Sequence, residues 1–265
     1  MGVARFWESP AGPLAYDDEG QGPLVVCVPG MGDLRQEYRF LAPLLVDAGY
    51  RVVTVDLRGH GESTVEGTNF SVAGVGADLV GLIDHLGSGP ARILGDSMAA
   101  GAAVWLAAER PELVDRMVLM GPAVRGKTNW GADLLYALLF GGFWGPSVWT
   151  AFYSTLYPTR KPADFEDYKK RLKANLAEPG RMGALRAMIR APKTDSEIRL
   201  NRIKTPTLVL MGTKDPDFPN PEAEAQWVST KAGGTYRMIE GAGHYPHAEF
   251  PEVTAPLILE FLKNE

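Results

Sequence analysis

Three separated side chains could together carry nucleophilic catalysis: the hydroxyl of Ser97, the imidazole of His244 and the carboxylate of Asp215. Ser97 lies in "RILGDSMAAGAAVWLAAERPE", where an aliphatic run stops at Gly95 and an alanine-rich stretch follows. A chain that leaves a strand and turns at once into a helix strains the turning residue and points its side chain out of the sheet. The residues two before and two after it must then be small. Gly95 and Ala99 meet that demand around Ser97, whereas Asp96 at the tip would put Leu94 and Met98 in the crowded places. Sterics therefore select a hydroxyl rather than a carboxylate as nucleophile. A helix starting at Met98 would aim its N-terminus at the site and favour developing negative charge. The same residues also suit a plain helix N-cap, a place where Ser is common.

A hydroxyl is a weak nucleophile until a base takes its proton. The chain has four histidines: His60, His85, His244 and His247. His85, between Asp84 and Leu86 in a helical pattern, reads as a surface residue. His60, in "DLRGHGES", suits loop hydrogen bonds. His244, in "IEGAGHYPHAEFPE", follows the last strand pattern and two glycines that let the loop swing back over the sheet edge. His247, beyond Pro246, would point elsewhere. The carboxylate that orients the base should come from the preceding strand end, and "PTLVLMGTKDPDFPNPEAE" offers Asp215 and Asp217. Asp215 comes first after Gly212 and is fixed by Pro216, so it is preferred, leaving Asp217 to cap or brace the loop. Two backbone amides would have to hold an oxyanion. Met98, after the nucleophile, and Met31, in the glycine loop "PGMGD", supply them.

These residues need a scaffold that puts strand ends side by side. "PLVVCVPG", "YRVVTVDLRG", "ARILGDS", "DRMVLMGP", "PTLVLMGT" and "TYRMIEGAG" read as buried parallel strands. Helical patterns separate them at Gln36–Asp47, Val72–Leu86, Met98–Glu109, Glu222–Thr230 and Pro251–Leu262. The alternation predicts an α/β class protein with a mostly parallel, doubly wound sheet covered on both faces. An antiparallel hairpin over Phe6–Glu19, turning at Gly12-Pro13, would add an edge. No strand pattern occurs over residues 123–203, which predicts an inserted helical cap between core segments 1–122 and 204–265. Such a cap would sit over the carboxyl ends of the strands, where open α/β sheets bind ligands. Its aromatic residues Trp130, Phe140, Phe143 and Trp144, with Tyr245 beside His244, are the expected substrate contacts. Leu134–Thr159 lacks Lys, Arg, Asp and Glu, but paired glycines and Gly145-Pro146 interrupt it, so bent short helices fit better than a membrane span.

The 265 residues suffice for one large domain, and 45% hydrophobic against 22% charged residues is an ordinary globular balance. The net charge of −5, with no basic stripe, argues against nucleic acid. Cys27 stands alone, so it reads as a buried core residue rather than a disulfide or metal ligand. The first residues hold no apolar signal segment and no myristoylation pattern, which leads to the expectation of a cytoplasmic protein. No metal or cofactor is expected, and a homodimer is left open.

Taken together, "VPGMGD", "VVTVDLRGHGES", "GDSMAAG", "LVLMGTKDPDFP" and "GAGHYPHAEFPE" resemble the α/β-hydrolase superfamily in its serine-nucleophile, helical-cap form. The order nucleophile, acid, histidine is that superfamily's order. The resemblance spans nearly the whole chain and implies triad roles for Ser97, Asp215 and His244. Two departures stand out: Pro29-Gly30 where His-Gly is usual, and Ala99 where the elbow usually ends in Gly. The residues and the uncharged aromatic cap predict a serine esterase, carboxylesterase-like, that cleaves a small or medium apolar ester, lactone or thioester through an acyl-enzyme. The resemblance also admits carbon–carbon bond hydrolases and perhydrolases, and a ligand-binding signalling protein with a slow triad is a further alternative.

Overall fold

The computed structural model describes residues 4–126 and 139–263. Eight strands form one sheet: β1 (Arg5–Ser9), β2 (Gly12–Glu19), β3 (Leu24–Val28), β4 (Arg51–Val55), β5 (Ala91–Asp96), β6 (Val114–Met120), β7 (Thr207–Gly212) and β8 (Thr235–Ile239). Their order across the sheet is β1-β2-β4-β3-β5-β6-β7-β8. Only β2 runs against its neighbours; from β4 to β8 every pairing is parallel. Every residue of β3 and β7 is buried, as uninterrupted aliphatic runs require when both faces are covered. The hairpin turn differs from expectation. Ser9 pairs with Gly12, so Pro10 and Ala11 make the turn and Gly12-Pro13 opens β2. Ser9 Oγ fixes this tight form by donating to Gly12 O at 2.6 Å and accepting from Ala11 N at 3.1 Å.

Helices α1 (Leu41–Asp47), α2 (Val72–Leu86) and α3 (Met98–Glu109) follow β3, β4 and β5. The expected single helix from Gln36 to Asp47 is split into a 3₁₀ turn, Arg35–Tyr38, and α1. Pro43 explains the break, because its ring would clash with the carbonyl of Arg39 in a continuous helix and it has no N–H to give. α2 is capped by Ser71, whose side chain accepts from Gly74 N, and ends on Gly87 in the left-handed region. α3 is so rich in Ala and Gly that it packs closely against both α2 and the sheet with most of its residues buried. One core lies between α2, α3 and the sheet; a second joins α1 and the C-terminal helix to the opposite face.

Between β6 and β7 the described residues hold α4 (Gly145–Thr155), α5 (Phe165–Leu176), α6 (Arg181–Arg190) and the short α7 (Thr194–Glu197), and no strand. They build a third apolar cluster around Phe140, Trp149, Tyr153, Phe165 and Tyr168 that also takes in Tyr245. After β7 come α8 (Pro221–Ala232), then β8, the single turn α9 (Pro246–Glu249) and α10 (Pro251–Lys263). Among the described residues no helix is long and apolar enough to cross a membrane.

Candidate active site

The turn from β5 into α3 puts Ser97 at φ 52°, ψ −119°, and it is the only non-glycine at positive φ among the described residues. A backbone in that region costs on the order of 1–3 kcal/mol and persists only where the surroundings impose it. Here Ser97 N donates to Met120 O at 2.9 Å, and Ser97 O accepts from Ala123 N at 3.1 Å. A Cβ at position 95 would lie 2.8 Å from Ala99 O, so the glycine before the elbow is required. Ser97 stands at the helix cap position, but its side chain makes no capping hydrogen bond. The plain N-cap reading is therefore not what the geometry shows.

His244 follows β8 as expected, and its Nδ1 lies 2.8 Å from Asp215 Oδ2. Asp215 is buried, and its other oxygen accepts Asp217 N at 3.0 Å. Gly243 allows the histidine loop to close, since a Cβ there would lie 2.1 Å from Leu156 O. His244 N donates to that same Leu156 carbonyl at 3.0 Å. Burial opposes the imidazolium, but Asp215, Asp217 and Asp96 outweigh it and hold the His244 pKa well above the usual histidine range. Ser97 and His244 open onto one cavity. No direct hydrogen bond joins them, and bonds of this kind commonly tighten only when substrate seats.

The amides of Met31 and Met98 bond to no other described residue, while the loop that carries Met31 is tied on every side. Gly30 N donates to Glu37 Oε2 at 2.8 Å, and Gly32 N donates to His60 Nε2 at 2.9 Å. His60 Nδ1, 3.1 Å from Arg58 O, is then the protonated nitrogen, which fixes the tautomer. Burial lowers its pKa to about 4, so the ring stays neutral. Trp149 Nε1 donates to Gly32 O at 3.0 Å, and Tyr168 Oη bonds Asp33 Oδ1. Under this loop lie Glu37, Asp96 and His247, all buried, with Glu37 Oε1 3.0 Å from His247 Nε2. Burial pushes the Glu37 pKa up to about 8 and the Asp96 pKa well above the usual carboxylate range. Burial thus opposes negative charge beneath this loop.

The cavity measures about 310 Å³ and is lined by Met31, Ser97, Phe140, Trp149, Phe152 and His244, among others. Of the expected substrate contacts, Phe140 and Tyr245 line it. Phe143 and Trp144 do not: they are 95% and 47% exposed. Both precede α4, with Trp144 at its N-cap, whereas Trp149 and Phe152, one and two turns into the helix, reach the cavity. Trp130 lies outside the described residues. Trp149, Phe152, Leu156, Ile189 and Phe218, together with Arg125, Lys193 and Asp217, line the cavity without having been picked out as contacts. A 3.6-residue phase anchored on Gly145-Pro146 could have found Trp149 and Phe152.

The fold and this cavity at the carboxyl edge of a parallel sheet define a class, and the comparisons with known proteins agree. The profile of the alpha/beta hydrolase fold family matches residues 23–251, and the chain belongs to that family. The chain is 30% identical to a 2-hydroxy-6-oxo-6-phenylhexa-2,4-dienoate hydrolase of Comamonas testosteroni over 95% of this chain and 91% of that one. It is 29% identical to a non-heme chloroperoxidase of Streptomyces lividans over 82% of this chain and 83% of the other. The crystal structure of a hydrolase from Pseudomonas aeruginosa PA01 superposes with a TM-score of 0.82 at 25% identity, covering 99% of both chains. Family and relatives together support a hydrolase.

Proposed function

We propose that the protein is a serine hydrolase that cleaves a small or medium apolar carboxylic ester, lactone or thioester through an acyl-enzyme. The observation that carries the reading is the strained Ser97 elbow opening onto the same cavity as His244, whose far nitrogen is held by Asp215 at 2.8 Å. In this reading His244 Nε2 takes the Ser97 proton as Oγ attacks the carbonyl, and Asp215 holds the tautomer and supports the imidazolium. The amides of Met31 and Met98 hold the oxyanion. His244 then returns the proton to the leaving group, and water reverses the sequence to free the acid. The steps use no metal or cofactor. The apolar wall of Phe140, Trp149, Phe152 and Leu156 supports an apolar acyl group, and the cavity volume supports a modest one.

Incubation of the folded protein with a fluorophosphonate, followed by peptide mass analysis, tests this. An adduct on Ser97 is expected, and its absence would overturn the reading. Similarity to a dienoate hydrolase and to a chloroperoxidase favours a second reading, in which the same triad cleaves a carbon–carbon bond or forms a peracid. A panel of p-nitrophenyl esters, vinylogous diketones and acetate with peroxide separates the two. A ligand-binding role with an idle triad predicts unchanged ligand affinity in Ser97→Ala and no turnover of any member of the panel.

A further inference from the structure

We propose that Asp217 reads the leaving group: its carboxylate accepts a hydrogen bond from a hydroxyl beside the scissile oxygen, so monoesters of 1,2-diols and polyols are preferred substrates. This deepens the serine-hydrolase reading and rests on it. Asp217 lines the cavity, and its Oδ2 stands 3.7 Å from His244 Nε2. In acyl transfer that nitrogen hands its proton to the leaving oxygen, which must then lie about 3 Å from it. A hydroxyl on the adjacent carbon of the leaving alcohol falls within reach of a carboxylate placed so close to the same nitrogen.

The division of labour within residue 217 supports a ligand contact. Its amide braces Asp215 Oδ1 at 3.0 Å. Its carboxylate accepts no hydrogen bond from any described residue and is 36% exposed. The backbone therefore builds the loop, and the side chain, beside His244, also faces what enters the cavity. An acceptor in a partly desolvated place gains from a ligand that brings a donor, and it discriminates against the isostere that lacks one. A cation is the poorer match, because Arg125 and Lys193 line the same cavity. An anion at this spot would meet Asp217 head-on. A neutral hydroxyl satisfies both conditions. Asp217 exchanges no proton in the step: the Ser97 Oγ–acyl bond forms, the ester C–O bond breaks, and the serine proton passes through His244 Nε2 to the departing diol.

The test compares kcat/KM for 2-hydroxyethyl butyrate and the near-isosteric n-propyl butyrate, with choline butyrate as the cationic arm. The wild-type enzyme should favour the hydroxyethyl ester by about tenfold, the worth of one charge-assisted hydrogen bond. Asp217→Ala should bring the ratio close to one, and Asp217→Asn, which still offers an amide oxygen, should keep part of it. Fluorophosphonate labelling of Ser97 in each variant reports an intact site; if the alanine variant does not label, the asparagine ratio decides. A role confined to supporting His244 would slow both esters equally and leave the ratio untouched. A wild-type ratio near one, a ratio unchanged in Asp217→Ala, or a preference for the choline ester overturns the proposal. Turnover of neither ester also overturns it, and if Ser97 resists the fluorophosphonate as well, the serine-hydrolase reading falls with it.

Discussion

At the scale of single residues, the proposed chemistry rests on groups held in states they would not choose alone. Ser97 carries backbone strain and no capping bond, so its hydroxyl is available to a base. Ser97→Ala should lower kcat by about 10⁶-fold if residues of this kind act as a unit, measured by initial rates on a p-nitrophenyl ester. Asp215→Asn keeps the shape but presents the wrong partner to Nδ1, and a loss of ~10⁴-fold in kcat is expected. In the proposed mechanism His244 must be neutral to act, and carboxylates raise its pKa above the histidine range. The rate should therefore climb as pH rises, with its acid limb above about 6.5. Removing the Asp217 charge destabilises the imidazolium, so the limb of kcat/KM in Asp217→Asn should move to lower pH. A limb that moves up, or stays, would contradict the assigned electrostatics.

At the scale of elements, the loop that carries Met31, the proposed oxyanion loop, is positioned by partners distant in sequence. His60, from the turn after β4, holds Gly32 N, and Trp149, from α4, holds Gly32 O. His60→Ala leaves that amide unpaired and lets the loop drift. A fall in kcat of about 10–100-fold with little change in KM is expected from steady-state kinetics. The helices show what a sequence can and cannot disclose. Ser97 was legible because only one frame put small residues on both sides, and His244 because two glycines preceded it. Asp215 was legible as the first acid past its strand. The lining of this helical segment was not: an uncharged stretch has no polar face to set its phase, so Phe143, which faces solvent, and Phe152, which is 37% exposed but borders the cavity, look alike. Phe143→Ala should leave KM within about twofold, whereas Phe152→Ala, which removes cavity wall, should raise it. Pairings such as Glu37 with His247 were hidden for another reason. No local pattern links the 3₁₀ turn after β3 to α9; only the folded sheet brings them together.

At the scale of the molecule, the helical segment after β6 is joined to the sheet core by polar ties as well as by packing. Arg39 holds Asp164 through two bonds of 2.7 and 2.8 Å and stacks over Tyr168. Asn175 bonds both N and O of Gly61, and Arg181 reaches Ser63 O. Glu249 is the most connected: Oε1 accepts Thr159 N and Arg160 N at 3.1 and 2.8 Å, and Oε2 accepts Gly243 N at 2.7 Å. Glu249→Ala leaves three amides without an acceptor and should destabilise by about 1–3 kcal/mol for each one that stays buried, read from urea unfolding. One carboxyl thus clamps the stem of α5's approach and the histidine loop alike. Deuterium uptake at residues 159, 160 and 243 should then rise in concert, the signature of a single opening unit, so the protein cannot loosen its roof without also freeing the loop that carries His244.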